Sequence, residues 1–404
     1  MKVHFHKMEK MGAAIGMAFA IAVCAAGGFC DTQMAAHAEA ASPAVTDERA
    51  EASYWTERNP DGERILISQA EIAAFNAEMR ERTETLKDLA AEPVTADVRY
   101  GVATRRGNLR LTPVMPDGSH YDEQQATAVD PCEPLLVYED SDDGRFSHVV
   151  MRNYEGWLSK RAFALTDRAT WMQFAAPEDF AVVTADSWKL YDESAGKTAL
   201  YQMGAKIPLA RAPLRGYRGK AGGEPLLMVP SRAPDGTLAI HPQPAVFDDD
   251  LHRGFLPCTA NNFVRQGFRF LGDVYGWGGL DDSVDCSAFT SDVYRSMGIE
   301  IPRDADVQGQ ALPYRVELHG KTDARLALLT IAFPVGTLLS NDTHVMMYIG
   351  QDADGTPMVL QAMSSYFDET GKHYLRQVVL TTLVYPNAEG RPYIKGVKYL
   401  SAIK

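Results

Sequence analysis

Apolar and polar residues alternate in three different ways along the chain, and each pattern predicts a different kind of structure. In the first, Ser68 and Glu71 have the spacing of a capping box, and apolar residues follow near helical intervals from Ile72 to Leu86. This predicts a helix from residue 69 to about residue 89, with Pro93 marking the end of the region. The polar, turn-rich residues 39–63 are typical of a linker. Residues 39–95 are therefore interpreted as a linker and an N-terminal helical segment.

From residue 98 to residue 165 the pattern changes to short apolar runs that are separated by glycine, proline and aspartate. The runs include residues 135–138, 147–151 and 156–158, and residues 142–144 between the first two have the composition of a hairpin turn. Such runs predict a small antiparallel barrel, which we assign to residues 96–168. Similar runs at 180–184, 206–209, 225–229 and 237–241 predict a second small barrel over residues 169–247.

A third pattern begins after three successive aspartates at residues 248–250. Residues 261–271 and 286–297 have helical spacing, and Gly298 is a typical residue for the end of the second helix. Apolar strands follow at residues 337–339, 345–349, 358–361, 378–382 and 396–400. Helices followed by a run of strands predict that residues 248–404 form an α+β domain.

Length and charge limit the classes of protein and partner. The 404 residues are too many for one ordinary domain, which agrees with a division into several. The formal net charge of −13 opposes non-specific binding to nucleic acid or to an anionic membrane, so neither is predicted as a partner. The same sign favours a substrate with a positive group, such as a free amine. No oligomeric state is predicted.

The first 38 residues have the composition of a secretory signal. Basic residues within positions 1–10 precede an Ala- and Gly-rich apolar run at 11–29, and Ala36 and Ala38 have the spacing of a signal-peptidase site. The run lacks the density of large aliphatic residues that a membrane anchor needs. We expect residues 1–38 to be removed, so that the protein is exported, periplasmic or secreted, with no stable membrane span. An uncleaved anchor and a lipoprotein acylated at Cys24 or Cys30 are the alternatives.

Removal of this segment would leave three cysteines, Cys132, Cys258 and Cys286. An odd number in an exported protein predicts at least one free thiol. Cys132 and Cys258 could form a disulfide in an oxidising compartment, although isolated cysteines more often remain unpaired.

Cys286 is the strongest candidate for a chemical role. It follows a glycine-rich stretch, residues 275–279, and opens a predicted helix. The glycines allow close approach of the backbone to a neighbour, and the positive end of a helix favours thiolate over thiol. The alternative is that Cys286 is a small buried apolar residue. The aspartate, serine and glycines around it argue against that, because they do not build an apolar core.

His344 is the candidate general base. It opens the apolar strand at 345–349, where its imidazole could take the proton of a thiol at a facing helix terminus and later give it to a leaving amine. A polar group should orient the imidazole, and Gln361, at the end of the next apolar run, could offer its amide oxygen. Taken alone, His344 would be a structural histidine and Gln361 an ordinary polar residue at a strand end.

At these positions the sequence resembles the NlpC/P60 family, cell-wall cysteine peptidases of the papain-like superfamily. The resemblance runs from residue 262 to residue 361 through the motifs at 275–279, 285–287, 301–304, 336–338 and 344–345. The preceding residues are similar to a subgroup with two bacterial SH3-like domains, on the motifs at 146–149 and 156–158. The resemblance implies a papain-like α+β domain behind two small barrels and hydrolysis of γ-D-glutamyl bonds to meso-diaminopimelate or lysine in murein stem peptides.

The subgroup also implies roles for residues around the nucleophile. Its members are enzymes that require a free N-terminal L-Ala, and in them the residues that flank the cysteine hold the amine. The resemblance assigns that role here to Asp285 and Ser287. The matching segments that line the site contain Tyr275, Trp277, Arg303 and Asp304, and Tyr154 is the candidate for an aromatic residue of the first barrel that closes the pocket. No cofactor is implied.

The chain departs from the family pattern at two places, and two other functions fit the same residues. Gln361 stands where the family often has histidine, and Met346 and Met347 replace smaller residues after the candidate base. A glutamine oxygen can still accept the imidazole proton, so activity is expected. The alternatives are a catalytically weak murein-binding protein and a papain-like amidase or acyltransferase. The ten histidines show no metal-ligand spacing, so no metal site is predicted.

Overall fold

The computed structural model describes residues 42–83, 86–91, 97–192, 196–210 and 224–404. The expected signal segment, residues 1–38, and the cysteines within it lie outside these ranges. The described residues belong to one compact unit that begins at residue 41. Among them, no helix is long and apolar enough to cross a membrane.

The N-terminal segment packs against the C-terminal domain. Its elements are α1 (Ala52–Glu57), β1 (Ile65–Ile67) and α2 (Gln69–Arg82). The predicted capping box is present at Ser68 and Glu71, but α2 ends at Arg82 and not near residue 89. Part of the predicted linker is folded, because Tyr54 and Trp55 of α1 are buried in the core of the C-terminal domain. This segment therefore contributes apolar side chains to the core of the C-terminal domain.

The first β-domain is an antiparallel sheet with the strand order β4-β3-β7-β6-β5-β2-β8. Its strands are β2 (Arg99–Ala103), β3 (Gly107–Arg110), β4 (Gln125–Val129), β5 (Pro134–Asp140), β6 (Phe146–Met151), β7 (Tyr154–Ser159) and β8 (Phe163–Thr166). The predicted turn between β5 and β6 is present, and Gly144 has a positive φ of 69° there. A short helix, α3 (Arg168–Ala175), follows and buries Trp171 and Phe174 between the two β-domains.

The second β-domain shares an apolar core with the first. Its strands are β9 (Phe180–Val183), β10 (Ser187–Asp192), β11 (Lys197–Gln202), β12 (Lys206–Ala210), β13 (Leu226–Arg232), β14 (Leu238–Pro244) and β15 (Leu251–Arg253). The main sheet has the order β14-β13-β12-β9-β15, and β10 and β11 form a separate hairpin that the sequence did not predict. Because β15 pairs with β9, the predicted boundary at 247/248 cuts the last strand from this domain.

The C-terminal domain is α+β, which confirms the predicted class. Its elements are β16 (Cys258–Thr259), α4 (Ala260–Arg269), α5 (Cys286–Ser296), α6 (Ala305–Ala311), β17 (Tyr314–Glu317), α7 (Asp323–Ile331), β18 (Leu338–Ser340), β19 (Val345–Gln351), β20 (Pro357–Asp368), β21 (Gly371–Thr381) and β22 (Tyr399–Ala402). The sheet order is β17-β22-β18-β19-β20-β21, and α4 and α5 pack on it through buried residues such as Phe289 and Leu360. Gly298 ends the α5 region with a φ of 86°, as predicted.

Candidate active site

Cys286 is the first residue of α5, and its thiol is almost buried, with 6% of the residue exposed. Backbone N–H groups of Val345 and Ser287 face the sulfur and favour its thiolate form. Burial and the charge of Asp285 outweigh them and raise the pKa of the Cys286 thiol to about 12. The N–H group at the helix terminus thus favours thiolate, as the sequence predicted, but burial and Asp285 leave the thiol pKa above its ordinary value.

His344 immediately precedes β19, and the first residue of that strand, Val345, faces the Cys286 thiol. The register of β19 and β20 pairs Met347 with Leu360, which puts Gln361 diagonally across from His344. The His344 Nε2 atom lies 2.7 Å from the Gln361 Oε1 atom. The structure therefore brings together the three residues that the sequence suggested as nucleophile, base and orienting group.

The contact with Gln361 decides which nitrogen of His344 can act as a base. An amide oxygen only accepts hydrogen bonds, so Nε2 donates its proton to Gln361 and Nδ1 keeps a free lone pair. Gln361 is fully buried, and its Nε2 donates to Thr381 Oγ1 at 2.7 Å and to Tyr385 Oη at 3.2 Å, which fixes the amide orientation. Burial lowers the pKa of His344, although Gln361 and Asp285 partly offset this effect. The imidazole is thus held neutral and correctly oriented.

A short turn holds the His344 backbone at the strand entrance. The Asn341 Oδ1 atom accepts hydrogen bonds from the N–H groups of Thr343 and His344, both at 2.9 Å. The Asn341 N–H donates to the His344 carbonyl oxygen at 2.9 Å. The base is therefore fixed from both its backbone and its ring.

Of the two unusual methionines after His344, Met347 fits because a glycine of α4 faces it, and Met346 packs on the other face of the sheet. Met346 and Met347 are both buried. A Cβ atom on Gly267 of α4 would come within 2.8 Å of the Met347 Cε atom. The missing side chain on α4 makes room for the larger residue on β19, so this departure from the family pattern does not disturb the strand that carries the base.

Asp285 is the N-cap of α5 and forms an ion pair with Arg303. Its Oδ1 accepts from the Ala288 N–H at 2.8 Å, and its Oδ2 lies 2.7 Å from Arg303 Nη2. Burial alone would raise the pKa of Asp285, but the Arg303 charge and hydrogen bonds outweigh it, so that the pKa is lowered. Arg303 therefore already pairs this carboxylate, so its burial does not by itself require a substrate amine.

Ser287 belongs to the same buried network. Its Oγ accepts from Arg303 Nη1 at 2.7 Å and donates to Asp285 Oδ1 at 3.3 Å. Arg303 also donates from Nε to the Oγ1 atom of Thr127, a residue of β4 in the first β-domain, at 2.8 Å. Both side chains that were predicted to hold the amine thus bind Arg303, which connects them to a second domain.

The backbone before Cys286 approaches the first β-domain closely, as the glycines predicted. Gly278 and Gly279 have φ values of 58° and 81° in a short 3-10 segment at Trp277–Asp282. A Cβ atom would lie 2.6 Å from Gln125 at Gly278 and 2.6 Å from Ala128 at Gly279. Neither position could carry a side chain without moving β4.

Polar side chains of the first β-domain bind the carbonyl groups of this loop. Gln125 Nε2 donates to the Gly278 carbonyl at 2.9 Å. Arg106 Nη2 donates to the carbonyls of Gly279 at 3.3 Å and Ser283 at 3.1 Å. The loop that leads to the nucleophile is therefore supported by another domain.

Aromatic rings from both domains meet beside the nucleophile. Tyr275 is buried and lies close enough to Cys286 and Asp285 that burial and these charges raise its pKa. Tyr121 of the first β-domain has its ring centroid 6.4 Å from that of Tyr275 and 6.1 Å from that of Trp277. Tyr121 is therefore an aromatic residue that the first β-domain adds beside the nucleophile, and Tyr154 packs against the core of that domain.

The residues that the sequence analysis missed are Arg106, Tyr121, Gln125 and Thr127. They lie in strands or loops of a different domain, and no local motif marks them; the glycine pair alone indicated that some neighbour approaches.

Asp304, the remaining predicted residue, follows Arg303 and is partly buried at the start of α6. In the described ranges, no group of three or more His, Cys, Asp or Glu side chains could hold a metal ion.

Comparison with protein families gives two matches. Residues 272–368 match the NlpC/P60 family, and residues 114–159 match the SH3 domain of the SH3b1 type. A solved NlpC/P60 endopeptidase from Photobacterium damselae subsp. piscicida is similar in fold, with a TM-score of 0.62 and 14% identity over 87% of this chain and 90% of that one. An NlpC/P60 family protein from Bacillus cereus ATCC 10987 has a TM-score of 0.51 and 17% identity, over 75% of this chain and 99% of that one.

Two curated relatives match shorter segments, and both are named gamma-D-glutamyl-L-lysine dipeptidyl-peptidase. The protein from Bacillus subtilis strain 168 is 41% identical over 54 residues, which are 13% of this chain and 18% of the relative. The protein from Bacillus cereus ATCC 10987 / NRS 248 is 36% identical over 94 residues, 23% of this chain and 26% of the relative. The aligned segments thus span about a quarter or less of these relatives. The arrangement of Cys286, His344 and Gln361 thus lies within the segment that matches the NlpC/P60 family, and a segment that matches the SH3 domain of the SH3b1 type precedes it.

Proposed function

We propose that this protein is a cysteine endopeptidase that hydrolyses γ-D-glutamyl bonds to a diamino acid in murein stem peptides. The observation that carries the proposal is the arrangement of Cys286, His344 and Gln361. A thiol at a helix terminus faces the strand entrance that holds a neutral imidazole, and the ring orientation leaves Nδ1 as the base. A protein that only binds murein would have no use for this arrangement.

The reaction follows from the protonation states of the two groups. As the Cys286 sulfur attacks the amide carbonyl, His344 Nδ1 takes the thiol proton, and the positive ring is stabilised by its bond to Gln361 Oε1. The imidazolium then gives this proton to the leaving amine, and a thioester remains on Cys286. Water activated by the same Nδ1 hydrolyses the thioester and restores the thiol.

The choice of bond rests on similarity, since both curated relatives are named for cleavage after γ-D-glutamate. The rings of Tyr121, Tyr275 and Trp277 give the site aromatic walls made by two domains, which suits a short peptide better than a polymer surface. We propose a tripeptide of L-Ala, γ-D-Glu and either diaminopimelate or lysine as the minimal substrate.

The preference for a free N-terminal amine is part of the proposal, and we propose a second carboxylate, beside Arg303, for the contact with that amine. Asp285 is buried and already paired with Arg303. Asp304 adjoins Arg303, is partly open to solvent, and is near enough that its charge raises the pKa of Arg303. We assign the recognition of the amine to Asp304, with a charge-assisted hydrogen bond worth ~1.5–3 kcal/mol.

The test is mass spectrometry of digests of L-Ala-γ-D-Glu-diaminopimelate with a free and with an acetylated N-terminus. The wild type should release the diamino acid from the free peptide roughly 10–100-fold faster, and Asp304→Asn should narrow that difference. Equal cleavage of the two peptides would reject the amine preference alone. Absence of cleavage of either peptide would reject the proposed bond, and transfer of the acyl group to an added amine without hydrolysis would favour the acyltransferase.

We also propose that the protein acts outside the cytoplasm, where murein lies, on the strength of the signal-like composition of residues 1–38. Fractionation of producing cells, with mass spectrometry of the mature N-terminus, tests this proposal. An N-terminus near residue 39 supports it, and an intact Met1 in the cytoplasmic fraction contradicts it.

A further inference from the structure

A cavity lies where the N-terminal segment, both β-domains and the C-terminal domain meet. Its volume is about 240 Å³ among the described residues. Leu89, Pro131, Phe174 and Phe255 give it apolar walls, and several charged side chains also line it. It is separate from the Cys286 site, because Cys286 and His344 do not line it.

Most charged groups of this junction cavity are paired. Arg80 Nη2 lies 2.6 Å from Glu300 Oε2, and Arg152 Nε lies 3.2 Å from Glu133 Oε1. Arg295 Nη1 lies 3.0 Å from the carboxylate of Asp292. These pairs satisfy the guanidinium groups and two of the carboxylates that face the cavity.

Lys206 of β12 and Asp88 also line the cavity, and among the described residues neither has an ion pair. The Lys206 Nζ atom has no carboxylate within 4.0 Å there and lies 6.0 Å from the centroid of the Phe180 ring. Burial lowers the pKa of Lys206, and the charges that act on it belong to Glu300, Arg152, Glu133 and Arg295, which all line the cavity. The ammonium is therefore on the cavity side of β12.

Lys206 is half-buried, and an ammonium that is partly withdrawn from solvent is stabilised when an anion pairs with it. The carboxylates of Glu300 and Glu133 already bind arginines, so within the described part of the chain they are not free to pair with Lys206. We propose that the junction cavity binds a small organic acid whose carboxylate pairs with Lys206 and whose carbon chain contacts the apolar walls. A volume below the ~300 Å³ of typical ligand pockets limits this ligand to a few carbon atoms. The inference goes beyond the proposed peptidase function and does not depend on it.

The experiment measures thermal unfolding and titration calorimetry of the full chain at pH 7. Acetate, succinate, glutarate and inorganic phosphate are compared at ionic strength matched with sodium chloride. A carboxylate of fitting length should raise the unfolding midpoint of the wild type saturably, by roughly 2–5 °C at about 100 times its dissociation constant. Phosphate should produce a smaller shift, since it has no apolar part.

Three variants separate a ligand site from a structural lysine. Lys206→Met should raise the midpoint without ligand, because it removes an unpaired ammonium, and should abolish the response to carboxylates. Lys206→Arg should keep the response, as should Lys398→Met, the matched control, whose ammonium binds Asp342 at the surface. The proposal is overturned if no carboxylate shifts the wild type, if Lys206→Met responds equally, or if only phosphate is effective. Should Lys206→Met fail to fold, the calorimetry of wild type and Lys206→Arg decides by the same criteria.

Discussion

The two sides of the nucleophile differ in charge and in the domains that build them. On the reaction side, Cys286 meets His344 and Gln361 within the C-terminal domain, and burial raises the thiol pKa and lowers the imidazole pKa, which favours the uncharged forms. On the SH3 side, Asp285 and Ser287 meet Arg303, an ion pair that reaches Thr127 of the first β-domain. The reaction side depends on proton transfer within a single domain. The SH3 side depends on the first β-domain and the C-terminal domain keeping their relative positions.

This difference indicates where each side is vulnerable. The reaction side depends on the pKa values of two buried groups and on one hydrogen bond to the imidazole. The SH3 side depends on keeping a buried carboxylate paired, because a buried charge without a partner is far more costly than an exposed one. Changes on the first side should therefore alter turnover with little effect on stability, and changes on the second should alter both.

The largest effect is expected from Cys286→Ala, which removes the attacking atom. Hydrolysis of the tripeptide, followed by chromatography, should fall to the uncatalysed background. Because only one small thiol is deleted, the unfolding midpoint should stay near that of the wild type. Cys258→Ala is the matched control, since Cys258 is also a buried free thiol, and it should remain active. Turnover by the Cys286 variant would refute the cysteine mechanism.

Arg303→Met should cause the largest loss of stability, ~3–5 kcal/mol, because it leaves Asp285 buried without a cation. In the wild type the lowered pKa of Asp285 contributes stability that is present above its unfolded value and lost as pH falls through the folded value. In the variant, burial raises that pKa. The stability difference should therefore shrink in acid, as measured by urea unfolding at several pH values.

The controls for Arg303→Met come from the same chain. Arg99→Met removes an exposed pair with Asp140 in the first β-domain and should cost below ~1 kcal/mol. The double variant Asp285→Asn, Arg303→Met should recover part of the loss, since no buried charge remains. Equal losses for Arg303→Met and Arg99→Met would contradict the importance of the buried pair.

Gln361→Ala should lower kcat by roughly 10–100-fold, less than loss of the base itself. The imidazole would lose the acceptor that fixes its orientation and stabilises its charged form. Gln361→Glu keeps an acceptor oxygen and should recover much of the rate, and Gln310→Ala, at an exposed position, should have no effect. An unchanged rate in Gln361→Ala would mean that another group orients His344.

Thr127→Val tests the SH3 side from the first β-domain. The change keeps the side-chain shape but removes the oxygen that accepts from Arg303 Nε, at a cost of ~1–3 kcal/mol. If Arg303 positions the residues that flank the nucleophile, kcat/KM should fall roughly three- to tenfold, mainly through KM. Thr104→Val removes a hydroxyl elsewhere in the same domain and should leave the kinetics unchanged. Identical kinetics for the two variants would show that the catalytic domain holds Arg303 without help.

The same division describes what the sequence could predict. Cys286, His344 and Gln361 were recognisable because a glycine-rich turn, a helix start and two neighbouring strands place them by local pattern and simple register. The partner of Asp285 was not recognisable, because Arg303 reaches it through the fold. Tyr121 was not predicted, because nothing local tells which loop of the first β-domain meets the catalytic domain. Similarly, Leu251 to Arg253 form too short a run to be assigned to the second β-domain without its partner strand.

The pH dependence should be the smallest effect and the most direct test of the uncharged reaction side. The imidazole of His344 must be neutral to act as the base, and burial lowers its pKa. Activity should therefore be present above that lowered pKa and lost only as pH falls through it, so the acid limb of kcat/KM should lie below the ordinary value of ~6.5. Because burial raises the pKa of the Cys286 thiol to about 12, alkylation by iodoacetamide in the ligand-free protein should accelerate steadily between pH 6 and pH 9. Gln361→Glu, which adds a negative charge beside the ring, should move the acid limb upward. Alkylation that does not change between pH 6 and pH 9 would mean that the thiol and imidazole form an ion pair, and an acid limb above 6.5 in the wild type would contradict the lowered pKa of His344. If such an ion pair were found, both sides of the nucleophile would carry charges. They would then differ only in that one domain builds the reaction side and two domains build the SH3 side.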